Sequence, residues 1–138
     1  MELSFIKEKD KLDFHIVKNG ISVGKSTGGL NVGGSDTGMR PMEMFASSLA
    51  LCASIDAVHI LEKQRIQLKH LGIKVLAERF DDEVPAVFKH IVLEYEIKEE
   101  KYISKLTKAV NLSLNRYCSV KAMIKKGVRI ESKISVIE

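Results

Sequence analysis

Tryptophan is absent from this chain of 138 residues, proline and cysteine occur twice each, and aromatic residues make up only 6%. Without a proline-rich or low-complexity stretch there is no linker to divide the chain, and its length suits one domain spanning residues 1–138. Two cysteines are too few for a disulfide framework, so they read either as inert packed thiols or as reactive ones. A block of basic residues interleaved with aromatics is also missing. The 22 Lys and Arg are scattered among 18 Asp and Glu, which leaves a net charge of +4 and argues against a nucleic-acid surface. The N-terminal run MELSFIKEKD is charged throughout and lacks a signal-peptide core, so the expected location is the cytoplasm. A hydrophobic content of 45% suffices for a real core, and 29% charged residues give a soluble surface.

The dominant feature is Pro41–Arg65, PMEMFASSLALCASIDAVHILEKQR. Pro41 suits a first helical position, Glu43 falls in the first turn, and Lys63 with Arg65 suit the C-terminal end. From Met42 to Leu61 the segment is apolar nearly all round, so the predicted helix needs covering on several sides. Ala46, Ser47, Ser48, Ala50 and Ala53 allow close approach by other elements. Ser47, Ser48, Ser54, Asp56 and His59 interrupt the run and argue against a membrane span.

Around this helix the pattern predicts strands over residues 2–7, 11–17 and from Ile21, with Asn19-Gly20 as a two-residue hairpin turn. Leu12, Phe14 and Ile16 alternate with Asp13 and His15. Gly24-Lys25-Ser26 looks like the end of a phosphate-binding loop, but Asn19 stands where that pattern needs glycine and no helix follows. Residues 27–39 hold five of the nine glycines and read as either a flexible connector or a flap over a site. Strands are predicted over 68–79 and 88–98, with a turn over Asp81–Pro85. A helix is predicted over 101–116, with Ile103, Leu106, Val110, Leu114 and Tyr117 in one stripe. A short helical segment then runs from Cys118 to Lys126, with Lys125 and Lys126 in its last turn and Gly127 as cap, followed by a strand over 128–137. This order predicts an α+β fold with largely antiparallel sheets.

Cys52 and Cys118 form neither a CxxC motif nor a zinc pattern. Cys118 opens a helical segment, a position that favours a thiolate, whereas Cys52 lies ~16 Å into its helix, beyond reach of the terminal dipole. A reactive Cys52 therefore needs a cation from elsewhere. Arg40 and Glu43 are the nearest charged pair in sequence, yet ~13 Å separates Glu43 from Cys52 along a straight helix. They reach Cys52 only from a second chain whose helix packs antiparallel; the simpler reading has Glu43 complementing the helix dipole and Arg40 in solvent. Cys52, Asp56 and His59 share a helix face. They read as satisfied core or interface polar groups more readily than as a metal site, because three ligands over two turns converge poorly.

The combination GMRPMEMFASSLALCASIDAVHILEKQR, a strand opening Pro85-Ala-Val-Phe, and NRYCSV resembles the OsmC/Ohr family over essentially the whole chain. The resemblance implies an OsmC-like fold, an intertwined homodimer with long helices buried at its centre, and reduction of organic hydroperoxides by a thiol. It makes Cys52 the peroxide-attacking thiol and Cys118 the resolving thiol, with Arg40 and Glu43 as the pair that stabilises the thiolate and orients the peroxide. A dithiol is the implied reductant, and neither a cofactor nor a metal is expected. The pattern is that of a less characterised branch: Met42 stands between Pro41 and Glu43 where established peroxidase branches have the glutamate directly after the proline, and no arginine precedes Arg40. The rival readings are a dimeric binder of a small apolar ligand with structural cysteines, and a metal binder using Cys52, Asp56 and His59.

Overall fold

The computed structural model describes residues 1–124 and 126–138 and divides into two compact units, Met1–Phe45 and Ala46–Glu138. The predicted α+β class holds for the chain, with one three-stranded sheet in each unit.

In the first unit, β1 (Ser4–Lys7), β2 (Asp13–Lys18) and β3 (Ile21–Thr27) form an antiparallel three-stranded sheet in chain order. Asn19 (φ 53°) and Gly20 (φ 77°) make the β2–β3 turn. Two consecutive positive φ values match the right-handed twist of a hairpin, which is why Asn-Gly occupies the turn. The buried side of β2 is its polar one: Asp13 is fully buried, while Phe14 on the opposite face is exposed. Alternation reveals that a strand has two faces but not which of them is covered.

Asp13 is tolerated inside because its carboxylate is ion-paired and accepts a backbone amide. Lys25 Nζ lies 3.0 Å from its carboxylate, and the Ser35 amide donates to it at 3.0 Å. Burial alone would raise its pKa, but the Ser35 and Lys25 bonds outweigh that and hold it at about 2. Lys25 also pairs with Glu8 (3.0 Å), which in turn pairs with His15. Through Ser35 the cluster fastens the glycine-rich loop. Gly28 N–H donates to Leu12 O (2.7 Å), Leu12 N–H to Gly33 O (3.0 Å), and the Thr27 hydroxyl to Gly38 O (3.2 Å). A Cβ on Gly34 would lie 2.0 Å from Gly28 O, so glycine there permits backbone to touch backbone. The loop is thus tied to its sheet at several points.

Helix α1 (Pro41–Lys63) starts in the first unit and continues into the second. Its buried residues, Ala46, Leu49, Ala50, Ala53, Ser54, Ala57 and Leu61, form one small-residue stripe. Burial of Leu49 and Leu61 contributes about 1.5–3 kcal/mol each. In the single chain Leu51 and Ile55 remain more than half exposed, so the helix is covered on one side and bare on another. By length and composition α1 could cross a membrane. Its interior polar groups, however, bond within the second unit: Ser54 to Tyr95 and Asp56 to Ser113.

The second sheet has the order β4 (Leu71–Arg79), β5 (Phe88–Ile97), β6 (Arg129–Val136). β4 is antiparallel to β5, and β6 is parallel to it. The central strand β5 buries Ile91, Val92, Leu93, Tyr95 and Ile97, as expected for a strand covered on both faces. A parallel β5–β6 pair requires a crossover, supplied by α2 (Ile103–Leu112) and α3 (Ser119–Met123). The single helix expected over 101–116 is instead three pieces: a 3₁₀ turn at Glu100–Tyr102, α2, and a π-helical turn at Ser113–Tyr117. Leu106 and Val110 are fully buried as the stripe predicts, but Tyr117 is 58% exposed because the wider π turn breaks the 3.6-residue period before it. α3 stops at Met123, short of Lys126, and Gly127 (φ 116°) follows in the loop before β6. The expected helical place of Lys125 lies outside the described residues.

Candidate functional site

The second unit brings its two cysteines together. Cys52, half-buried on α1, lies close enough to the Cys118 thiol to raise its pKa, and both are free. Cys118 is 4% exposed and caps α3 with an extended backbone. Its Sγ accepts the Lys121 N–H at 3.4 Å, and its own N–H donates to Ser113 O at 2.9 Å, closing the π turn.

A position at a helix start predicts a more acidic Cys118, and the structure reverses this. Burial pushes its pKa up to about 11; the amides of Lys121 and Val120 oppose the shift, and the nearby Cys52 adds to it. A five-residue helix contributes little dipole, and among the described residues no cation acts on this thiol.

Tyr95 and Ser54 add to the buried polar set; in the sequence Ser54 marked only an interruption of the apolar run, and Tyr95 did not stand out. The Ser54 hydroxyl is bonded to Ala50 O (2.5 Å) and to the Tyr95 hydroxyl (3.1 Å). Burial raises the Tyr95 pKa; Ser54 opposes this and the charge of Cys118 reinforces it, so the phenol keeps its proton. The only advance signal was a tyrosine and a serine at core positions of a strand and a helix, where each hydroxyl must find a partner. Ser54 also reaches the floor of a cleft of about 460 Å³, walled by Leu51, Ile55, Val58 and Ile73 with His59 and Glu62 at its edge.

Asp56 Oδ2 accepts the Ser113 hydroxyl at 2.9 Å, and Ser113 is fully buried. Among the described residues no group of three His, Cys, Asp or Glu side chains is placed to hold a metal ion.

Arg40 and Glu43 lie in the first unit, at the start of α1. The Glu43 carboxylate accepts the Arg40 backbone N–H at 2.9 Å, the glutamate half of a capping box, with Pro41 at the first helical position. The Arg40 guanidinium binds Asp36 through Nε (3.0 Å) and Nη2 (2.9 Å) at the surface.

With this geometry in hand, the family model for OsmC-like proteins matches residues 33–133. The chain belongs to the OsmC-like protein family. It is 34% identical over 103 residues to Protein YhfA of Escherichia coli K12, covering 74% of this chain and 76% of that one. It is also similar in structure to a hypothetical protein from Aquifex aeolicus VF5, at TM-score 0.74 and 27% identity, covering 99% and 97% of the two chains. The organic hydroperoxide resistance protein OhrB of Bacillus subtilis shares the fold at TM-score 0.64 and 17% identity, covering 97% and 96%.

Proposed function

We propose that this OsmC-like chain is a thiol peroxidase that reduces organic hydroperoxides through Cys52 and Cys118, working in the cytoplasm as a homodimer with a dithiol reductant. The observation that carries the reading is the proximity of two cysteines distant in sequence, one half-buried and one buried. In the first step the Cys52 thiolate attacks a peroxide oxygen; the O–O bond breaks, Cys52 becomes a sulfenic acid, and the departing alkoxide takes up the proton released when the thiol ionised and leaves as the alcohol. In the second, Cys118 sulfur attacks the Cys52 sulfur, the S–OH bond breaks, and the thiol proton leaves with the hydroxyl as water. A dithiol then reduces the disulfide and is itself oxidised.

The high pKa of Cys118 suits this order, since a protonated thiol does not compete for peroxide and holds the proton the second step needs. Resistance proteins of similar fold from Legionella pneumophila and Bacillus subtilis carry hydroperoxide in their names, which favours this substrate class. The cation for Cys52 is assigned to Arg40 of a second copy, steadied by Glu43. Arg40 is half exposed in the single chain, and the bare Leu51 and Ile55 on α1 ask for a partner.

The test is hydroperoxide consumption with a dithiol. Wild type turns over, Cys52→Ser is inactive, and Cys118→Ser stalls after one equivalent. Arg40→Met slows oxidation, and verified heterodimers of Arg40→Met with Cys52→Ser chains partly recover it. No turnover by wild type would leave the binder reading, and full activity in Cys52→Ser would remove Cys52 from the attacking role.

A further inference from the structure

Asp56 and Ser113 join the two cysteine-bearing segments in a closed frame. On α1, Asp56 follows Cys52 by four residues, about 6 Å along the axis on the same face. On the other side, Ser113 opens the π turn that ends at Cys118. Ser113 uses both of its polar ends: the hydroxyl donates to Asp56 Oδ2 at 2.9 Å, and the carbonyl accepts the Cys118 N–H at 2.9 Å. The Asp56–Ser113 hydrogen bond closes the frame on one side, and on the other Cys52 lies near the Cys118 thiol.

The extra residue of the π turn is what makes the frame close. In a continuing α-helix the Ser113 carbonyl would take the Tyr117 N–H, and Cys118 would sit about 100° further round. Here Tyr117 turns out to solvent at 58% exposure and Cys118 turns in at 4%. A fully buried serine bonded to a carboxylate one turn from the other cysteine fixes that arrangement.

We propose that Asp56 and Ser113 are positioning residues that hold Cys118 in register with Cys52 for disulfide formation. The inference rests on the reading of Cys52 and Cys118 as a redox pair, but it does not need peroxide.

Its test is therefore an equilibrium with glutathione: two protein thiols and one oxidised glutathione give the Cys52–Cys118 disulfide and two reduced glutathiones. Losing a hydrogen bond to a carboxylate should lower this constant about tenfold in Asp56→Ala and in Ser113→Ala. For a two-electron couple that is about 30 mV. Asp56→Asn, which retains an acceptor oxygen, should stay within about twofold of wild type and serves if the alanine variant does not fold. The double alanine variant should lose no more than either single one, because both remove the same bond. The alkylation rate of Cys52 should not change, which separates loss of positioning from general loosening. Wild-type constants in both alanine variants would overturn the proposal, as would additive losses in the double variant. So would a wild-type chain that forms no Cys52–Cys118 disulfide at any glutathione ratio. A wild-type chain that forms the disulfide but consumes no hydroperoxide removes the peroxidase reading alone.

Discussion

Asp13 in the first unit and Cys118 in the second are both buried titratable groups, yet their pKa values move in opposite directions. Asp13 is held at about 2 because the Ser35 amide and the Lys25 ammonium outweigh its desolvation. Cys118 is driven to about 11 because only backbone amides oppose its burial, and the neighbouring Cys52 works with it. The comparison shows what an anion inside this protein requires. Amide donors reach both groups, but among the described residues a cation reaches Asp13 and none acts on Cys118. A buried thiol without a cation keeps its proton, which fits a resolving cysteine better than an attacking one.

The strongest way to break the comparison is to make Asp13 resemble Cys118. Lys25→Met removes the cation and leaves Asp13 facing its buried site with Ser35 alone, through its hydroxyl and its amide. Its pKa should rise and the thermal midpoint should fall, more at pH 7, where the carboxylate is charged, than at pH 3. In wild type the sign is fixed by the depressed value. The Asp13 contribution is complete above the unfolded pKa near 4 and is lost as pH falls toward about 2. Thermal melts from pH 7 to pH 2 on both proteins check this. An intermediate effect is expected at Cys118 itself. Peptide-resolved alkylation in native protein should rise about tenfold per pH unit and level off only near pH 11. A plateau below pH 8 would mean that a cation has been overlooked. The smallest effect is expected for Tyr95→Phe, which removes one buried hydroxyl from the neutral network while Ser54 keeps Ala50 O as partner. Denaturant titration should show a loss of about 1 kcal/mol.

Much of the scaffold was legible because it obeys local rules. Asn19-Gly20 makes the expected hairpin, Pro41 and Glu43 mark the start of α1, and the turn before Phe88 separates two strands as predicted. What was hidden lies where tertiary contacts override the local pattern. SLNRY continues the apolar period of α2, so nothing in it announced a π turn, and only the i to i+5 bond from Cys118 to Ser113 reveals it. Alternation in β2 could not say that Asp13 faces inward, because that depends on Lys25 and Ser35 arriving from elsewhere. The helix-start argument for Cys118 named a real amide contact and missed the larger effect of burial. That Cys52 and Cys118 work as a pair was implied by the family resemblance, since no spacing rule links them; their proximity appears only in the folded chain.

The central claim is that these two thiols form one redox unit, and mass spectrometry after a single equivalent of an organic hydroperoxide tests it most directly. The account predicts loss of both thiols and one intrachain Cys52–Cys118 disulfide in wild type, with a trappable sulfenic acid on Cys52 in Cys118→Ser. Adducts on Cys118 alone, or disulfides formed only between chains, would contradict it.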